Sequence, residues 1–172
     1  MKTIILILSA ICLQISVINL KHWFKGEGVI FDKTENFPFR DENYAQAYSP
    51  TIDDVQKAEK IISEGYFQYR ENVLDSFNSK KYRTNPKYRN PEKVIQKFYK
   101  YNRQYAGYIN TKGDKIIYVG MFNFANKRKA QIAFEKWKEI IFLGSEGFYV
   151  DNQEYFEVNI DRKDFVYKIS KQ

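Results

Sequence analysis

At 172 residues, with one cysteine and one histidine, the chain has room for one hydrophobic core but lacks the ligands for a disulfide framework or a Cys-rich zinc site. Its net charge of +7 and 17% aromatic content invite a polyanion partner, but lysine outnumbers arginine 21 to 7. That is the codon bias of an AT-rich genome, so cationic character alone argues only for weak, generic attraction to polyanions.

The chain opens with Lys2 and an apolar run from Ile4 to Ile18, broken by Ser9, Gln14 and Ser16, and no acid appears before Glu27. A basic end followed by a short apolar segment is the layout of a secretory signal peptide, here residues 1–20. The run is short for a bilayer span and contains Gln14, which makes an uncleaved anchor the second reading. Cys12 suggests a lipoprotein, although Ile11 stands where a small residue belongs. The cleavage sites are poor: Ser16 is the candidate last residue of the leader, but Gln14 then stands where the second small residue belongs. The expected address is therefore secreted or periplasmic, with a mature chain beginning between about Ser16 and Lys21. Membrane attachment is expected only if the segment is uncleaved or lipidated.

Residues 21–50 are aromatic and polar without a sustained period, and read as an extended arm with one short strand near Val29 to Phe31. Residues 51–172 are expected to form a single domain. Thr51 opens its clearest helix. Thr51 and Asp54 have the spacing of a capping box, and Val55, Ala58, Ile62, Tyr66, Tyr69, Val73 and Phe77 recur at steps of three and four. Gly65 interrupts that face and is expected to bend the helix.

Residues 78–103 form a basic, aromatic connector, with a short helix over 92–101 turning Val94, Ile95 and Phe98 inward. Lys81, Arg83, Tyr99, Lys100, Tyr101 and Arg103 are its candidate binding residues for an anionic partner, the aromatics stacking on or covering the patch. A solvated connector is the plainer alternative.

The last third reads as hairpins. Residues 104–109 and 115–122 flank Asn110-Thr-Lys-Gly-Asp114, in which Gly113 takes the left-handed position. Residues 126–136 are variable with some helical character, and 137–143 are apolar enough for a strand. In residues 155–161, Phe156, Val158 and Ile160 face a core while Glu157, Asn159 and Asp161 face water; Phe165, Tyr167 and Ile169 repeat the pattern. The expected fold is α+β: a long N-terminal helix on one face of a four- to five-stranded antiparallel sheet, an arrangement that cystatin-like folds share. Gln104-Tyr-Ala-Gly107 is one residue short of the cystatin inhibitory Gln-x-Val-x-Gly, so inhibition is not implied.

Residues 103–119, the Trp137-Lys-Glu-Ile stretch and Tyr155-Phe-Glu-Val-Asn-Ile resemble small secreted or lipoprotein-like proteins from Bacteroidota over about residues 52–169. The resemblance implies an address and a fold class, and no activity.

No catalytic or cofactor motif stands out in the sequence. His22 lies near the expected mature end, a poor place for a base or ligand. Gly144-Ser-Glu-Gly147 lacks the glycine spacing of a nucleophile elbow, Gly26-Glu-Gly28 lacks the rest of a dinucleotide loop, and Asp151-Asn-Gln-Glu154 is too short for an EF-hand calcium loop. Acids are the remaining catalytic candidates, and Glu154, Glu157 and Asp161, with Asp151 close by, cluster near the last hairpin in a way that suggests a carboxylate hydrolase. No cofactor, metal or specific nucleic acid is expected. The best expectation is a non-catalytic domain binding a protein or polymer at the cell envelope or outside the cell; a carboxylate hydrolase and a weak polyanion binder using residues 80–105 are the alternatives.

Overall fold

The structure, a computed structural model, describes residues 16–33, 40–76, 91–142 and 148–166. Within them lie strands β1 (Ser16–Ile18), β2 (Gly28–Ile30), β3 (Tyr44–Tyr48), β4 (Asn102–Asn110), β5 (Lys115–Phe122), β6 (Gln153–Asn159) and β7 (Asp164–Phe165). Helices α1 (Ile52–Ser76), α2 (Pro91–Phe98), α3 (Lys127–Ala133) and α4 (Phe148–Asn152) complete the set.

The seven strands form one sheet in the order β1-β2-β4-β5-β6-β7, with β3 also on β4. β4 is the hub. It pairs along its length with β5, while its other edge is shared: β2 runs parallel to Arg103–Tyr105 and β3 antiparallel to the stretch from Gly107 to Asn110. The fold is mixed α/β, but three expectations need correction. The long helix is not N-terminal, since three strands precede it, and the sheet exceeds five strands because the 21–50 arm supplies β2 and β3. Nor is the sheet wholly antiparallel: the long connection through α1 and α2 lets β4 return alongside β2, as parallel pairing requires.

α1 begins as its sequence predicts. Asp54 Oδ2 accepts from the Thr51 amide at 3.0 Å and hydroxyl at 2.7 Å, and the Asp54 amide donates back to Thr51 Oγ1 at 3.2 Å. Val55, Ala58, Ile62 and Tyr66 are buried and Tyr69 is partly so; with Tyr105, Ile117, Val119, Phe156, Val158, Ile160 and Phe165 they make one core. The side chains of Val73 and Phe77, and Tyr167 and Ile169, lie outside the described residues. Gly65 does not break α1. A Cβ there would lie 2.9 Å from Phe165 Cε2, so the bare position seats the Phe165 ring.

The opposite face of the sheet carries a second core: Val29, Phe31, Ala106, Tyr108, Ile116, Tyr118 and Phe122 meet Ala130, Phe134 and Trp137. This layer overturns two expectations. Residues 137–142 are turns and irregular chain, not a strand; Leu143 lies outside the described residues. Their backbone is satisfied by side chains of the sheet instead of by a ladder: Gln104 Nε2 donates to the Trp137 carbonyl and, at 2.7 Å, to that of Ile140, and Gln104 Oε1 accepts from the Phe142 amide at 3.0 Å. The Phe142 carbonyl accepts from Tyr118 Oη at 2.9 Å and Gln153 Nε2 at 2.8 Å. Glu157 and Asn159, expected in water, are 5% and 7% exposed: they share the sheet face of Tyr118 and Ile116, where Glu157 accepts from the Tyr108 hydroxyl and Asn159 bonds Asp114 and the amides of the β6–β7 turn. Asp161 is exposed, as expected.

Candidate functional site

α2 starts with proline at its first position, where the missing N–H costs nothing, and carries Glu92 in its first turn and Lys97 in its last. Val94 and Phe98, one turn apart, are buried against α1 and the sheet, with Phe98 and Tyr66 edge to face at 5.2 Å. Lys97 stays exposed. After α2 the chain tightens: the Lys100 amide donates to Lys97 O at 2.9 Å and the Tyr101 amide to Phe98 O at 3.0 Å. That turn leaves Lys100 in solvent and folds the Tyr101 ring into the core.

The facing wall is the chain just beyond β5. Asn123 is fixed to α4, its amide donating to Asn152 O at 2.8 Å and its Nδ2 to Asn152 Oδ1 at 3.1 Å, while its Oδ1 accepts from the Ala125 amide at 3.0 Å. Phe124 then projects against Phe134 and Trp137, at 5.5 and 5.8 Å between ring centroids. Between these walls lies a cleft of about 650 Å³. Val94, Phe98, Tyr101 and Phe124 supply its apolar lining, and Lys97, Lys100 and Asp151 its charges. It opens where the two cores meet at one end of the sheet, since Phe98 and Tyr101 belong to one core and Phe124 packs on the other. Chemically it can take an apolar body and hold an anion at its lysines; it offers one exposed carboxylate.

Of the six candidate binding residues, Lys100 and Tyr101 line this cleft. Tyr101 does so as a buried ring, not as an exposed stacking platform. Tyr99 is exposed, and its hydroxyl donates to the Lys21 carbonyl at 2.9 Å. Arg103 is a correction: 1% exposed, it lies under α1 with Glu59 and contributes nothing to a surface patch. Lys81 and Arg83 lie outside the described residues, as does Ser145. Lys97 belongs to the basic connector of residues 78–103 and lies on the exposed side of amphipathic α2, whereas no local pattern marks Phe124 for a site.

The acids do not converge. Glu157 lies on the face covered by α3, where it accepts from Tyr108 Oη at 3.0 Å; Glu154, one position out of phase, projects to the other face. Burial first, and then the Glu157 charge, hold the Tyr108 hydroxyl well above its ordinary range. Asp161 belongs to the β6–β7 turn and accepts from the Lys115 amide at 2.7 Å. Asp151 alone reaches the cleft. His22 packs edge to face on Trp23 at 4.9 Å, and among the described residues no three His, Cys, Asp or Glu side chains are placed to hold a metal ion. No helix among the described residues is long and apolar enough to cross a membrane. No family model matches this chain, and no curated protein or solved structure shows significant similarity to it.

Proposed function

We propose that the chain is an exported, non-catalytic domain that works by binding, and that the cleft between α2 and the chain after β5 is its site. The observation that carries this reading is the cleft itself. Its volume of about 650 Å³ falls in the range of ligand pockets, roughly 300–1,000 Å³, and it pairs an apolar lining with a few charges at its edge. Lys97 and Lys100 favour a ligand with an anionic group, and Val94, Phe98, Tyr101 and Phe124 favour an apolar or aromatic body. Export rests on the basic and apolar leader, and the resemblance to small secreted or lipoprotein-like proteins from Bacteroidota implies the same address. A carboxylate hydrolase gains no support from acids held on different faces and turns of the sheet.

The test is a titration with 1-anilinonaphthalene-8-sulfonate, an aromatic anion, followed by amide NMR. Saturable shifts centred on residues 94–101, 123–125 and 151 are expected; shifts spread over the cationic surface would retire the cleft.

A further inference from the structure

We infer that the folded domain begins no later than Val17, so that removal of the leader ends at or before the Ser16–Val17 bond. This rests on the export reading, but its basis is the packing of residues 16–24. β1 pairs antiparallel with β2, Val17 opposite Val29 and Ile18 opposite Gly28. A Cβ at position 28 would lie 2.8 Å from Ile18 Cγ1 and 2.8 Å from Phe24 Cζ, so both side chains close over a position that has none. Ile18, Leu20 and Trp23 pack on the α1-side core. The Leu20 carbonyl accepts from the Trp23 amide at 2.7 Å and the Phe24 amide at 3.0 Å, the turn that drives the fully buried Phe24 inward. The Lys21 carbonyl is tied to the Tyr99 hydroxyl beside α2.

A cut after Leu20 would remove β1, bare the edge of β2 and delete the acceptor of that turn. Leader peptidases want a small residue before the cut, and of residues 16–20 only Ser16 is one. The step is hydrolysis: water adds across the peptide bond, leaving a carboxylate on the leader and an ammonium on the first residue of the domain.

Full-length chains carrying Ile18→Val with Leu20→Val are expressed in an exporting host and the exported product is weighed intact. Retention predicts a product lighter than wild type by both truncations; an unchanged mass means that these residues left with the leader and overturns the boundary. Ile18→Asn, measured in urea on the same product, should lower the midpoint, whereas an unchanged midpoint overturns the boundary. N-terminal sequencing of wild type should read Val17 or an earlier residue, and Ile18, Asn19, Leu20 or Lys21 would contradict it. Unprocessed chain held in the cytosol would count against export alone; the effect of Ile18→Asn on its midpoint still decides where the fold begins.

Discussion

Arg103 Nε lies 3.0 Å from Glu59 Oε1, and both side chains are buried between α1 and β4. The Tyr105 hydroxyl donates to the same oxygen at 2.7 Å, Arg103 Nη1 donates to the Tyr101 carbonyl at 2.9 Å, and the guanidinium sits 5.1 Å over the Phe24 ring. Arg103, one of six residues expected on a basic surface, is thus a buried strut. Removing one partner strands a charge, so Arg103→Leu should lower stability in urea by about 3–5 kcal/mol. Replacing Glu59 by Leu as well should recover much of that loss.

Gln104 holds the outer layer. Gln104→Ala leaves the Trp137 and Ile140 carbonyls and the Phe142 amide without that partner, each an unmade bond of about 1–3 kcal/mol where water cannot replace it. We expect a lower urea midpoint and faster amide exchange at residues 137–142, with α1 exchange following only global unfolding. Equal acceleration in both places would mean that the layer is not separately latched.

These two residues also show what sequence can and cannot reveal. The Thr51–Asp54 cap, the stripe of α1 from Val55 to Tyr69, the Asn110–Asp114 turn and the inward Phe156, Val158 and Ile160 are local patterns, and all form as expected. In that turn Asn110 Oδ1 accepts from the Lys112 and Asp114 amides and Gly113 takes φ +86°. Arg103, Gln104 and Glu157 are polar residues whose partners lie 33 to 49 residues away in some of their contacts. Nothing in their neighbourhoods distinguishes a satisfied buried group from a solvated one. The covering layer is aromatic without a period, because Phe134 and Trp137 sit on turns and Phe142 on irregular chain. The cleft was half legible for the same reason: α2 supplies one wall in a regular pattern, and an irregular chain supplies the other.

Gly65 and Phe165 should be coupled. Alanine usually stabilises a helix over glycine by about 0.5–1 kcal/mol, but here its methyl would meet Phe165 Cε2 at 2.9 Å, and overpacking costs about 1–3 kcal/mol. Gly65→Ala should therefore fail to stabilise wild type and should stabilise a Phe165→Leu background. A gain of equal size in both would show that the ring does not rest on the helix.

Asp54 gives a pH signature. Burial, the largest single influence, would raise its pKa, but hydrogen bonds from the Tyr48 and Thr51 hydroxyls and the Thr51 amide, with the Lys115 charge, hold it below the ordinary value. A folded pKa below the unfolded one contributes stability above the unfolded value, near 3.9, that is lost as pH falls through the folded one. Asp54→Asn weakens the hydrogen bonds that the Tyr48 and Thr51 groups donate to the carboxylate and should cost about 0.5–1.5 kcal/mol at pH 7. The difference from wild type should narrow by pH 3; a constant difference would mean that the carboxylate charge contributes nothing.

The most direct test of the binding site compares two double variants in the same titration with 1-anilinonaphthalene-8-sulfonate. Lys97→Gln with Lys100→Gln removes the charges of the cleft, and Lys57→Gln with Lys60→Gln removes two exposed lysines of α1. Exposed charge pairs are worth up to about 1 kcal/mol each, so the cleft variant should bind about tenfold more weakly, with its folding midpoint unchanged. The α1 variant should bind as wild type does. Equal losses from the two would mean that the protein attracts anions through its net charge alone, and would contradict the cleft as a site.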